Sequence, residues 1–87
     1  MRELSLEACI HSFVDRYSFL HVVGEVVNIG AKTAEGVEVV VTFYDKECDI
    51  ISSDTELITP SMIEPRAVRF FDASTFIGVD KIDHWLI

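Results

Sequence analysis

The sequence predicts an all-β domain, an antiparallel β-sandwich of about seven short strands. Three observations predict it. Apolar residues recur at every second position, as in strands with one face on a core, rather than every third or fourth. The two clearest runs, Ser18 to Ile29 and Gly36 to Asp45, are rich in valine and aromatic residues. Between the runs stand turn-forming clusters: Asn28-Ile29-Gly30, Glu35-Gly36, Asp45-Lys46-Glu47-Cys48 and the Pro60 to Pro65 segment.

In chain order, Leu4 to His11 is the first candidate strand. The apolar positions Leu6, Cys9, Ile10, Phe13 and Val14 within Arg2 to Tyr17 also fit a helical stripe, so this segment has two readings, strand being preferred. Ser18 to Ile29 and Gly36 to Asp45 follow. In the latter, Val37, Val39, Val41 and Phe43 share one face, read as core, while Glu38, Val40, Thr42 and Tyr44 take the other. Asp49 to Ser53, Glu56 to Thr59, Arg66 to Asp72 and Lys81 to Ile87 complete the set. Pro60 and Pro65 lie outside these strands, as residues without a backbone donor must in a central strand.

A chain of 87 residues holds one domain, residues 1–87, and at this size roughly 60–65% of the unfolded surface is buried on folding. Hydrophobic residues at 49% and charged residues at 25% describe a globular domain and exclude a disordered polyelectrolyte. Seven basic against 15 acidic side chains leave a net charge of -8, a field that repels nucleic acid and anionic membrane. No run approaches the ~20 apolar residues of a spanning helix, and Met1 to Glu7 lacks the apolar stretch of a signal peptide. The strand-like ending His84-Trp85-Leu86-Ile87 reads as that of a domain cut from a longer protein. Cys9 and Cys48 are far apart and lack metal-ligand spacing; a disulfide and two thiols are both open, two thiols being the expectation.

Three stretches line up in order: Val23-Gly24-Glu25-Val26-Val27-Asn28-Ile29-Gly30, Lys32-Thr33-Ala34-Glu35-Gly36-Val37 and Val39-Val40-Val41-Thr42-Phe43-Tyr44-Asp45. Over Phe19 to Ile87 the chain resembles the FxLYD family, small immunoglobulin-like β-sandwich domains of bacterial and archaeal envelope proteins. The resemblance implies an immunoglobulin-like topology, an extracellular or cell-envelope location, and an accessory or adhesion role without shared catalytic residues. Three positions depart from the pattern. Val41 stands where the family name has Phe, Cys48 where a turn glycine follows the Tyr-Asp pair, and Arg66 follows Pro65 where Pro-Gly is common.

The motif residues Gly24, Val26, Asn28, Phe43, Tyr44 and Asp45 also have structural readings. Gly24, in mid-strand, makes room for a bulky neighbour such as Trp85 or Phe70. Asn28 can bond nearby backbone and shape the turn into Gly30, and Asp45 can do the same for the next turn.

Catalytic chemistry finds little to stand on. No G-x-S-x-G elbow pairs a nucleophile with His11, His21 or His84, and the 15 acidic residues read as solvated faces. Asp45, Glu47, Asp49, Ser53 and Glu56 fall at the spacing of a calcium-binding loop, but Ile50 occupies the position that its sharp turn reserves for glycine, which excludes an EF-hand. A weaker calcium site at the Asp45 turn, or a glycan stacked on Trp85, defines the alternative reading as a small ligand-binding module. No catalytic, cofactor-binding or metal-binding residue is assigned.

The leading reading is a non-catalytic protein-interaction or spacer module whose partner is another protein, a neighbouring domain or a second copy in a weak homo-oligomer. Its candidate partner surface is Val23, Val27, Val40 and Tyr44, expected to form one patch opposite the core with Ile29, broken only by His21, Glu25, Glu38 and Thr42. The alternative is that Arg2 to Tyr17 crosses over that patch as a third layer.

Overall fold

The computed structural model describes residues 4–6 and 10–87, with side chains from Ile10 onward. In chain order its strands are β1 (Leu4–Leu6), β2 (His11–Val14), β3 (Leu20–Asn28), β4 (Ala34–Glu35), β5 (Glu38–Tyr44), β6 (Ile50–Leu57), β7 (Met62–Ile63), β8 (Val68–Thr75) and β9 (His84–Leu86). A 3₁₀ turn spans Val79–Lys81, and the described residues contain no α-helix. All the strand pairs are antiparallel.

β3 is the centre of the first sheet. One edge pairs with β8 from Leu20↔Thr75 to Val27↔Val68; the other carries β1 and β2 end to end. The register along that edge differs by two residues between Leu6↔Val26 and His11↔Val23. The second sheet has the order β6-β5-β9, and β4 pairs with β7 as a separate clip.

The inner faces of the two main sheets meet in one core. Val22 and Val26 of β3, Phe71 and Ala73 of β8, and Val39, Val41 and Phe43 of β5 are buried there with Ile58 and Ile63. Both central strands alternate buried and partly exposed positions, the period-two pattern of the sequence made spatial. Phe43 and Val41 are fully buried and Tyr44 is half-buried, as the alternation required. Where β6 and β8 approach, Ser74 N–H donates to Asp54 Oδ2 at 2.9 Å, and the hydroxyls of Ser52 and Thr75 are 2.8 Å apart.

Three expectations are corrected by the structure, and the preferred strand reading of Arg2 to Tyr17 holds over its alternative. Asp49 to Ser53 and Glu56 to Thr59 are not two strands but largely the single β6, because its inward positions Ser52, Asp54 and Glu56 are polar and break the apolar rhythm. The strand expected at Arg66 to Asp72 is shifted to Val68–Thr75, since Arg66 belongs to a turn with φ 73°. Within Arg2 to Tyr17 the described residues form β1, β2 and the start of the turn at Asp15, so the preferred strand reading stands and the helical stripe does not form there; Cys9 lies outside the described residues. Gly24 does make room for a bulky neighbour, but for Phe71 and Ile10. A Cβ at Gly24 would sit 2.9 Å from Ile10 Cγ1 and 3.0 Å from the Phe71 ring, whereas Phe70 points outward and Trp85 packs in the other sheet opposite Phe43.

Two turns are built alike. In Asp15–Phe19 and Asp45–Asp49 the aspartate N–H bonds the carbonyl four residues on at 2.9 Å, and its Oδ1 accepts the N–H groups two and four residues on. The fourth residue of each is left-handed: Ser18 at φ 68° and Cys48 at φ 67°. Asn28 is buried at 2% exposure and fully engaged. Its Nδ2 donates to the carbonyls of Lys32 and Ile63, both at 2.8 Å, and its Oδ1 accepts Gly30 N–H at 2.9 Å.

Candidate interaction surface

Alternation along β3 turns His21, Val23, Glu25 and Val27 away from the core, and along β8 it turns Val68, Phe70, Asp72 and Ser74 the same way. The register places Val27 opposite Val68, Glu25 opposite Phe70 and Val23 opposite Asp72. Phe70 is 72% exposed and Val68 is also open to solvent. An apolar tract of Val27, Val68, Phe70 and Val23 therefore lies on the outer face of this sheet, with Glu25 at its middle. A shallow depression of about 360 Å³ opens beside it, lined by His11, Val23, Gly24, Glu25, Phe70 and Phe71.

One end of the face is polar. His21 Nε2 lies 2.7 Å from Asp15 Oδ2 and its Nδ1 lies 2.8 Å from Asp72 Oδ1, while the Phe13 ring stacks on the imidazole at 4.8 Å. A neutral imidazole offers one donor and one lone pair, so two ionised carboxylates are satisfied together only by the imidazolium. The Asp15 hydrogen bond, then that of Asp72, raises the His21 pKa above its ordinary 6.5. Asp15 moves below its ordinary 3.8, first because of His21 and further because Phe19 and Tyr17 N–H groups donate to it. Both ring nitrogens are engaged, so the arrangement clasps the β2–β3 turn to β8 and offers no spare base for proton transfer. On β6 the Glu56 pKa is raised above its ordinary 4.5, chiefly by burial and then by the Asp54 side chain.

The expected patch divides. Val23 and Val27 lie on this face, but Val40 and Tyr44 belong to β5, in the other sheet, and point out on the far side of the shared core. The physical reason is pairing: consecutive long strands joined across β4 cross between sheets instead of lying side by side. On that far face Tyr44 stacks on His84 with ring centroids 5.1 Å apart and pairs with the exposed Ile50, while the apolar Val40, Leu57 and Leu86 are interspersed with Thr42, Ser53 and Thr55.

The other candidate residues are placed as follows. Asp45 Oδ1 is taken up by the Glu47 and Asp49 N–H groups, each at 2.9 Å. Among the described residues no three His, Cys, Asp or Glu side chains gather as a metal-binding group. Trp85 is half-buried and packs against the core, and Cys48 is exposed.

Sequence reasoning missed Val68, Phe70 and the Asp15–His21–Asp72 cluster. Two signals were available: adjacent Phe70 and Phe71 in a strand must face opposite ways, and Asp15-Arg16-Tyr17-Ser18 parallels Asp45-Lys46-Glu47-Cys48. No protein-family model, curated protein or solved structure matches the chain.

Proposed function

We propose that the chain is a non-catalytic protein-interaction module that docks through the outer face of the β3–β8 sheet. The observation that carries this reading is the exposed Phe70, flanked by Val23, Val27 and Val68. A large aromatic left open beside three valines suits a surface that another protein covers. The far sheet is less suited, since hydroxyl side chains divide its apolar positions. The resemblance of Val23 to Asp45 to FxLYD domains supports an immunoglobulin-like accessory module of a prokaryotic envelope or secreted protein.

Site-resolved crosslinking tests this. With p-benzoylphenylalanine in place of Phe70, and separately in place of Leu57 on the far sheet, cells that produce the protein are irradiated. A discrete product from position 70 that is absent from position 57, and that disappears with Val27→Lys plus Val68→Lys, is expected. No product from position 70, or the same product from both positions, would leave a spacer role instead.

A further inference from the structure

We infer that the depression beside Gly24 receives a basic side chain, arginine or lysine, presented by the protein partner; this rests on the docking role proposed for the same face. Glu25 stands at the centre of the apolar tract, directly opposite Phe70. Among the described residues its carboxylate has no hydrogen bond or ion pair. The neighbouring cation in β8, Arg69, is opposite Val26 in the register and so on the other face, where it donates to the Met62 carbonyl at 3.1 Å. Of the two histidines on this face, His21 is already held by two carboxylates, and His11, which pairs with Val23 and lines the depression, makes no hydrogen bond or ion pair to Glu25.

An arginine or lysine stem fits what surrounds Glu25. Its methylenes lie against Val23 and Phe71, its charge meets the Glu25 carboxylate, and the exposed Phe70 ring offers a π face to the same cation. A carboxylate at the middle of an apolar docking face would lose water without compensation against a purely apolar partner, so a cation is the complement that keeps the face usable. A second copy is disfavoured as occupant, because each carries a net charge of -8 and would bring its own Glu25 to the contact.

The test is an NMR amide titration of the full chain with the extended peptide acetyl-Val-Arg-Val-Arg-Val-amide. The control peptide has citrulline for each arginine, which keeps shape and hydrogen bonding and removes the charge. Saturable shifts confined to residues 23–27 and 68–72 are expected, with affinity about tenfold weaker for the citrulline peptide and for Glu25→Gln, the scale of one lost charge-assisted contact. Glu38→Gln, on the far sheet, is expected to bind like the parent chain. Equal affinity for both peptides, or unchanged binding by Glu25→Gln, overturns the basic-side-chain assignment while leaving the crosslinking result at position 70 to stand or fall separately. Sedimentation showing a dimer that Phe70→Ala dissociates would make a second copy the occupant and overturn it as well.

Discussion

His21 Nε2 lies 2.7 Å from Asp15 Oδ2, and that bond ties the first residue of the β2–β3 turn to the strand that follows it. The opposite ring nitrogen reaches Asp72 on β8, so one imidazolium bridges three segments. The His21 pKa is raised, so its stabilisation is complete below the ordinary 6.5 and is lost as pH climbs through the raised value. The Asp15 pKa is lowered, so its contribution is present above the ordinary 3.8 and is lost as pH falls through the lowered value. Thermal melts of the parent chain and His21→Gln are expected to differ most at weakly acidic to neutral pH and to converge at alkaline pH. A gap independent of pH would mean that His21 acts by packing on Phe13 alone.

Gly24→Ala is expected to destabilise the domain by about 1–3 kcal/mol, the usual range for an overpacked core position. The added Cβ would stand 3.0 Å from the rigid Phe71 ring and 2.9 Å from Ile10, although alanine itself suits a strand better than glycine. Urea unfolding measures the loss. Combining Gly24→Ala with Phe71→Leu is expected to cost less than the sum of the two, since the smaller side chain removes the clash.

Cys48 holds φ 67° at the Asp45 turn, a conformation that costs a side-chain-bearing residue roughly 1–2 kcal/mol. Cys48→Gly removes that strain and gives back about 0.5–1 kcal/mol through a more flexible unfolded chain. A gain of up to about 1 kcal/mol is expected, read as a melting temperature higher by a few degrees. Ser18→Gly, in the matching turn, is expected to move the same way. A lower melting temperature for both would show that the side chains at these positions contribute more than the backbone strain they carry.

Asn28→Ala is expected to be among the most damaging single changes outside the apolar core. It strips the partner from the buried Ile63 carbonyl, an orphan that costs about 1–3 kcal/mol, and also from the partly buried Gly30 N–H. Asn28→Asp keeps the acceptor for Gly30 but turns the donor into a carboxylate facing the Lys32 and Ile63 carbonyls, so it is expected to be no better tolerated at neutral pH and partly recovered in acid. Circular dichroism melts at both pH values check this.

Much of the fold was legible because alternation is a property of a strand by itself. Val39, Val41 and Phe43 announce the buried face of β5 without reference to any neighbour, and the turn chemistry of Asn28 and Asp45 acts within a few residues of each. β6 was harder to read: an edge strand whose inner face holds Ser52, Asp54 and Glu56 carries no apolar rhythm, and its pairing with β5 makes it a strand.

The candidate surface was legible only in half. That Val23, Val27 and Val40 point away from the core follows from their positions along the chain, and the sequence determined it. Which of them share a face was decided by the tertiary structure, which set β3 beside β8 and β5 in the other sheet, uniting Val27 with Val68 and Phe70 rather than with Val40. Side-chain direction is set locally by the backbone of each strand, but strand adjacency is set by hydrogen-bond pairing between residues of β3 and β8 that lie 41 to 55 positions apart, and only the folded chain brings those together.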